Sequence, residues 1–264
     1  MPKRRLDTVL AERGLYESRS RAAAAVLAGD VRLGGGGRRA SKPGQMVTED
    51  VDVEVAKPPP FVSRGGVKLA NALDAFGIDP TGRRCLDVGA STGGFTDCLL
   101  KRGAAAVTAV DVAYGELHWT LRQDPRVTVV ERTNARSLTQ ASLPWRAGLV
   151  VADVSFISLR KVLPAALRCA APRFDCVALV KPQFELGRAH VGKGGVVRDA
   201  DRRRDALVAV GETAQEELGL AVVGYASSEL PGPAGNRESF IWIAEAGRET
   251  AVQDLGKAAR RAEP

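Results

Sequence analysis

The sequence predicts an α/β fold: a doubly wound parallel sheet preceded by a small α+β module. Three observations predict it. First, an apolar run, Arg84 to Val88, leads into Gly89-Ala90-Ser91-Thr92-Gly93-Gly94 and a helix-like stretch, and a second apolar run, Ala106 to Val110, follows. Strand, crossover helix and strand in that order build a parallel sheet. Second, short apolar runs and amphipathic runs keep alternating over the remainder of the chain. Third, Lys57-Pro58-Pro59-Pro60 is a stiff, extended stretch that marks a boundary. The expected division is 1–57 for the module, 58–63 for a linker and 64–264 for the sheet domain.

Taken in order, Leu6, Val9 and Leu10 share one face of a helix over 6–14, with Gly14 as its stop. Ser18 is placed to cap a second helix, Arg19 to Ala28, which Gly29 ends. Residues 30–33 form a short strand, and 51–55 alternate as a strand should; glycines 34–37 between them are a turn with no side chains to fix its shape. Beyond the prolines a helix spans about 67–76, with Lys68 in its first turn and Gly77 and Pro80 at its end. Strands are expected at 84–88, 106–110, 127–130, 148–152, 176–180, 221–226 and 239–244, and helices near 93–102, 115–122, 159–170 and 200–218. The last two strands, joined through a Pro-Gly loop, suit an antiparallel edge. The tail after Gly247 is charged and reads as frayed.

Composition narrows the function. No stretch reaches the length of a charge-free membrane span, and no apolar signal-type segment follows the basic start, so a cytoplasmic location is the default. Cys85, Cys98, Cys169 and Cys176 form no C-x-x-C pair and read as free thiols. His118 and His190 are the only histidines, which excludes a His-rich metal site and leaves Lys, Asp or Glu for any general base. The net charge of +7 is uneven: residues 1–48 hold ten basic and four acidic side chains, or +6. A concentrated basic patch is the electrostatic footprint of a nucleic-acid binder.

Ligands of open α/β sheets sit beyond the carboxyl ends of the strands. The first such end offers Asp87 and the turn Gly89, Ser91, Thr92, Gly93, Gly94 and Phe95; the second offers Asp111 and Val112. The glycine spacing is G-x-x-x-G-G rather than the dinucleotide G-x-G-x-x-G, and no phosphate loop is present. An acid about 20 residues past the turn can hold a ribose. A glycine turn and an acid without a phosphate cradle suit a nucleoside ligand lacking pyrophosphate, such as S-adenosylmethionine. Asn134 and Asp153 follow at the third and fourth strand ends, as candidate contacts to adenine and to a sulfonium. Lys181 ends the apolar run Val177-Ala178-Leu179-Val180 and is either a phosphate binder or a base.

Two resemblances add to this reading. Leu6-Asp7-x-x-Leu10, Ser18-Arg19-Ser20-Arg21 and Gly29-Asp30-Val31-Arg32-Leu33 resemble the small RNA-binding domain named for ribosomal protein S-four. That resemblance implies phosphate contacts at Arg19, Arg21 and Arg32, which position a protein on RNA without reading its sequence. Arg4, Arg5, Arg64, Arg188 and Lys193 complete the basic RNA-contact candidates. Lys68, Asp153, Lys181 and Glu238 match in order and context the Lys-Asp-Lys-Glu tetrad of FtsJ-like ribose 2′-O-methyltransferases. The phrases Ser63-Arg64-Gly65-Gly66-x-Lys68-Leu69, Asp153-Val154-Ser155-Phe156-Ile157-Ser158, Lys181-Pro182-Gln183-Phe184-Glu185, Lys193-Gly194-Gly195-Val196-Val197-Arg198 and Gly232-Pro233-Ala234-Gly235-Asn236-x-Glu238 are similar to the TlyA family over almost the whole chain. Phe61 stands where that family leads one to expect tryptophan, which bears on a linker-based switch and not on the chemistry.

The resemblance implies a Rossmann-like methyltransferase sheet and S-adenosylmethionine-dependent methylation of cytidine ribose in small-subunit, and often large-subunit, ribosomal RNA. It implies the four tetrad residues as catalytic and ribosomal RNA or ribosomal subunits as partners; the chemistry needs no metal, and a monomer is the expectation. A ribose hydroxyl is a weak nucleophile that must attack in line while losing its proton, so positioning and a suitable base supply the acceleration. A lysine serves as base only where desolvation or a nearby cation favours the amine, and Lys68 beside Lys181 offers that; Glu238 and Asp153 would orient the two side chains. The family's other name, haemolysin, offers a membrane-active alternative, against which stands the lack of a span or a long basic amphipathic helix. A noncatalytic assembly factor would need neither tetrad nor turn. A pseudouridine synthase would carry a strand-borne aspartate phrase that this chain lacks.

Overall fold

The computed structural model of the chain describes residues 3–16, 18–35, 37–55, 59–187, 190–232 and 234–263. Its contacts divide into two compact units, Met1–Pro59 and Pro60–Pro264. The proline stretch expected as a linker falls partly outside the described residues, at Lys57 and Pro58.

In the first unit β1 (Lys3–Arg5), α1 (Leu6–Glu12), α2 (Arg19–Ala28), β2 (Val31–Leu33), β3 (Arg38–Arg39), β4 (Met46–Thr48) and β5 (Val53–Val55) follow in order. Leu6, Val9 and Leu10 of α1 pack with Ala22 and Val26 of α2 and with Val31 and Val47. Ser18 caps α2 by accepting from Arg21 N at 3.3 Å, and Gly29 ends it in the left-handed region. α1 is shorter than the expected 6–14. The antiparallel pairs β1–β4, β2–β3 and β2–β5 include three strands that sequence reasoning does not find. Two or three residues are too few to show a period of two, so pairing alone defines β1, β3 and β4.

The second unit opens with α3 (Arg64–Phe76), then β6 (Arg84–Val88), α4 (Gly94–Lys101), β7 (Ala106–Val110), α5 (Trp119–Arg122), β8 (Val127–Val130), β9 (Ala147–Ala152), α6 (Leu163–Leu167), β10 (Ala170–Val180), α7 (Pro182–Glu185), α8 (Ala200–Glu212), β11 (Ala221–Ser227), β12 (Ser239–Ala244) and α9 (Leu255–Ala262). The seven strands order as β11-β12-β10-β9-β6-β7-β8. β6 to β10 run parallel, and β12 is antiparallel to both of its neighbours. Alternation along the buried strands feeds two cores. Leu149, Val151, Val177 and Leu179 face α3 and α4, with Leu69, Leu73 and Leu99. Val150, Ala152, Ala178 and Val180 face α6, α8 and α9. This is the doubly wound sheet with an antiparallel edge that the alternation predicts.

Several boundaries differ for physical reasons. β10 starts at Ala170, ahead of the expected 176, because the polar Asp175 is absorbed: Arg83 and Arg248 pair with it at 2.8 and 3.2 Å, and Trp242 Nε1 donates to it at 2.9 Å. The register with β9 shifts between Ala170 and Asp175, around Pro172, which has no N–H for the ladder. The helix expected over 200–218 becomes α8 and then a π turn, Thr213–Glu217. The helix expected near 115–122 shrinks to α5, and that near 159–170 breaks into a 3-10 turn and α6. The tail does not fray: Val252 and Leu255 pack on the sheet, Ala259 is fully buried, and α9 lies on α8. Its charged residues concealed an apolar face only one turn deep.

One buried charge organises the first unit. Asp7 is 2% exposed. Arg5 grips both its oxygens at 3.1 and 2.7 Å, and Arg19 Nε stands 3.4 Å away. The Arg5 hydrogen bonds hold the Asp7 carboxyl down at about 2 against a usual 3.8, with the Arg19 charge adding to the effect. A depressed carboxyl stabilises the fold above its ordinary value, and that stabilisation is lost as pH falls towards the folded value. The expected outcome is acid loosening of this unit between about pH 4 and pH 2, read by amide exchange at α1 and α2 in the full chain. Asp7→Asn should be weaker at neutral pH and lack that step; an unchanged acid profile would remove Asp7 as its source.

Candidate active site

The site begins where β6 stops. Gly89 takes φ 84°, and its N–H and that of Ala90 both donate to Val110 O, at 2.9 and 3.1 Å. A Cβ on Gly89 would stand 2.5 Å from Asp153 O, so only glycine lets the turn lie against the end of β9. Asp153 N in turn donates to Val88 O at 2.9 Å. Asp111, past β7, accepts from Ser91 N at 2.7 Å and from Ala113 N at 2.8 Å, tying the turn to the next strand end.

Two adjoining cavities open across these strand ends. One, of about 440 Å³, is lined by the turn, including Gly89, Ser91, Thr92, Gly94 and Phe95, and by Lys68, Asp153, Lys181 and Glu238 together. The other, of about 490 Å³, shares Gly89, Ser91 and Asp153 and adds Asp111, Val112 and Asn134. Gly93 caps α4 behind the turn. Asn134 uses Oδ1 to cap its own 3-10 turn, accepting from Arg136 N at 3.1 Å. Asp87 lines neither cavity. It lies under the turn, fully buried, with Oδ2 accepting from Thr96 Oγ1 at 2.7 Å and Oδ1 without a partner. Burial pushes its carboxyl up to about 7, against the Thr96 bond and with the help of the Asp153 charge.

The four charged residues form two pairs. Lys68, the fifth residue of α3, which starts three residues earlier than expected, meets Glu238, just ahead of β12, at 2.5 Å, with the side chains 8% and 1% exposed. Lys181, ending β10, meets Asp153 at 2.6 Å, with 13% and 25% exposed. The second contact is an ion pair off the hydrogen-bonding line, and the directed bond of Lys181 Nζ goes to Ser155 Oγ at 2.9 Å. Sequence reasoning singles out the four charges but not Ser155, which a phrase beginning with an aspartate leaves looking like loop.

It also passes over Phe156. This residue is 92% exposed and takes φ 63°, a strained conformation for a non-glycine residue. Its ring lies 5.2 Å from that of Phe184. Glu185 holds the loop beneath it, accepting from Ser158 Oγ at 2.5 Å and Leu159 N at 2.7 Å; burial raises the Glu185 carboxyl and those bonds oppose the rise. No sequence signal separates an exposed phenylalanine from a core one.

Of the basic candidates in this unit, Arg64 lies at the wall of the first cavity and donates to Pro231 O at 2.9 Å, and Lys193 is exposed. Arg188 lies outside the described residues. In the first unit Arg21 and Arg32 are exposed, Arg32 donating to Gly37 O at 3.3 Å. Arg4 pairs with Glu12 and Glu49, and Arg5 and Arg19 pair with Asp7.

A mostly parallel seven-stranded sheet, wound on both faces, with this cavity at its carboxyl edge defines a Rossmann-like methyltransferase fold. Comparison with known proteins agrees. Residues 61–245 match the FtsJ-like methyltransferase family and residues 4–53 match the S4 domain. The chain is 51% identical to the 16S/23S rRNA (cytidine-2′-O)-methyltransferase TlyA of Mycobacterium tuberculosis, over 98% of this chain and 96% of that one. A solved structure of a hemolysin-named protein from Streptococcus thermophilus superposes with a TM-score of 0.73 at 35% identity, covering 99% of this chain and 96% of the other. A methyltransferase from Listeria monocytogenes shares the fold alone, with a TM-score of 0.51 at 14% identity over 69% of this chain and 99% of that one. The chain therefore belongs to the TlyA family of FtsJ-like methyltransferases and is an enzyme of that class.

The Lys68–Glu238 pair makes a stability prediction. Removing one member of a buried ion pair strands a charge and costs about 3–5 kcal/mol, whereas an apolar pair of similar volume is often neutral. Glu238→Ala and Lys68→Ala should each lower the unfolding free energy by about that amount, and the double variant Lys68→Met/Glu238→Leu should recover most of it without recovering activity. Denaturant unfolding checks this; single variants as stable as the parent would mean the pair is hydrated.

Proposed function

We propose that the enzyme transfers the methyl group of S-adenosylmethionine to the 2′-hydroxyl of a cytidine ribose in ribosomal RNA, of the small subunit and also of the large. The observation that carries this reading is the single cavity onto which the glycine turn and both lysine–carboxylate pairs open. The choice of nucleotide and RNA is supported by the printed activity of the Mycobacterium tuberculosis relative. The S4 match and the basic residues of the first unit support an RNA partner.

The residues present fit the cofactor. Asp111 offers carboxylate lone pairs to ribose hydroxyls, Val112 and Ala135 offer apolar walls to adenine, and Asn134 keeps its amide nitrogen for a ring acceptor. Asp153 lines both cavities, and its carboxylate, already paired with Lys181 at 2.6 Å, adds negative charge where a sulfonium would sit. When bound, S-adenosylmethionine supplies an electrophilic methyl carried on a sulfonium. The chain's own task is then to hold the hydroxyl in line and take its proton. Lys181 Nζ, fixed between Asp153 and Ser155, is the group proposed to meet that hydroxyl; it receives the proton as the free amine, after releasing to solvent the proton it carries in the ion pair. Lys68, held by Glu238 at the cavity wall, contributes a fixed positive charge where negative charge develops. Phe156, exposed and braced by Phe184, is proposed to stack the unpaired target base, and Arg64 to meet a phosphate. Among the described residues no helix is long and apolar enough to cross a membrane, and nothing in the site favours a membrane-active reading.

Calorimetry should find one S-adenosylmethionine site per chain, and tight NAD binding in its place would overturn the cofactor assignment. Lys181→Ala should keep cofactor and RNA binding while single-turnover transfer falls about 10²–10⁴-fold, the worth of a positioned base. Lys181→Arg should rescue little, because guanidinium does not deprotonate. Turnover within a few-fold of the parent would move the base to Lys68 or Asp153. Phe156→Ala should raise the RNA KM by about tenfold, the lower part of what one base–aromatic stack is worth, and leave cofactor affinity alone; an unchanged KM removes the stacking role.

A further inference from the structure

Helix α9 lies beyond the residues that match the FtsJ-like family, which end at 245, yet it is wired to the loops beside the site. Glu263, directly after it, is 4% exposed. Its Oε1 accepts from Arg203 Nε at 2.9 Å and Nη2 at 2.7 Å, and stands 3.6 Å from Arg237 Nη1. One carboxylate therefore joins α8 to the loop that carries Glu238. Arg203, itself buried, turns Nη1 onto Val197 O at 3.2 Å and Arg198 O at 2.6 Å. Val197 N donates to Asn236 Oδ1 at 2.9 Å, and Asn236 Nδ2 donates to Gly195 O at 2.8 Å. Asn236 is 1% exposed and two residues from Glu238; its carbonyl accepts from Gly232 N at 2.8 Å. Gly232 packs so closely on the Glu238 carboxylate that a Cβ there would collide with it.

The two loops so joined form one wall. Gly194, Gly195, Asn236 and Glu238 line, with Lys181 and Phe156, a further cavity of about 420 Å³ on the side of Lys181 away from Asp111. Gly194 and Gly195 both have positive φ and no side chains to hold their own shape. Local backbone bonds close the turn, Gly195 N to Gly192 O at 3.0 Å and Gly192 N to Val196 O at 3.1 Å, and the Asn236 and Arg203 bonds fasten it to the neighbouring loop and to α8. Buried charge-assisted bonds are directional, so losing one end releases the geometry of the other.

We infer that Glu263 is a positioning residue. Through Arg203 and Arg237 it sets the 193–198 and 234–238 segments against each other, and so shapes the acceptor side of the methyl-transfer site. What the wall does rests on the function proposed above; how it is held does not.

The test uses the full chain carrying Glu263→Gln, which keeps volume and loses charge, and separately Arg203→Lys, which keeps charge and loses the fork. Amide exchange in both segments should rise about tenfold while the sheet stays protected. The kcat for RNA methylation should fall about ten- to a hundredfold, as for a misplaced group, with the cofactor Kd within twofold of the parent. A merely structural role would raise exchange in α9 and α8 alone and leave kcat intact, which overturns the inference, as does parental behaviour in both variants. If one variant fails to fold, the other reads the same segments. Loosened loops in a protein that never transfers methyl to RNA would uphold the coupling and sink the functional reading.

Discussion

The close approach of the β6 turn to the end of β9 is the contact on which the site depends. Gly89 touches the Asp153 carbonyl, and Asp153 N returns a bond to Val88 O. That contact brings the carboxylate of Asp153 beside the turn and, because β10 is the next strand out, sets Lys181 against it. β12 then inserts antiparallel beyond β10, so the residue entering it, Glu238, arrives at the same edge as the residues leaving the parallel strands. Lys68 comes from neither strand nor strand end: α3 packs on α4 and presents its fifth residue to Glu238. Four charges from four distant stretches thus converge because the strand order leaves them no other edge.

Charge of this density inside a fold has to be paired. Both pairs line the cavity, but the Lys68–Glu238 pair is more deeply buried than the Lys181–Asp153 pair. The asymmetry suits a division of work, one pair fixed as scaffold and field, the other reachable by a substrate. Ser155 adds the directional bond that an ion pair by itself does not supply, since Coulomb attraction fixes distance far more than angle.

How much of this the sequence disclosed depends on where each residue's signal lies. Lys181 and Asp153 stand out because a charge ends an apolar run, and the run itself announces a buried strand. That Lys68 pairs with Glu238 was not legible, because the partners are 170 residues apart and meet through the antiparallel insertion of β12. Asp87 reads as part of the ligand turn, yet as the last residue but one of β6 it points into the protein and meets Thr96. Phe156 was silent for a different reason. Its left-handed backbone lies in a loop that Glu185 anchors through Ser158 and Leu159, and no local propensity announces a positive φ at phenylalanine. α9 was misread as frayed because its charges hid the role of Glu263, whose carboxylate is buried by its arginines rather than exposed by its polarity.

Asp87 shows why the site tolerates three carboxylates at neighbouring strand ends. Burial and the Asp153 charge hold its proton to near neutrality, and the Asp111 charge acts in the same direction. A raised carboxyl is the reverse of Asp7: the fold favours the protonated form, so this group costs stability as pH rises from its ordinary value through about 7. A positive charge brought into the cavity above it opposes that cost, since it favours the carboxylate directly and screens Asp153. Lys181, 2.6 Å from Asp153, supplies one such charge at these strand ends. An acid beneath a glycine turn thus belongs to the electrostatics of the cavity without lining it, and its Oδ1 has no hydrogen-bond partner to steady a charge there.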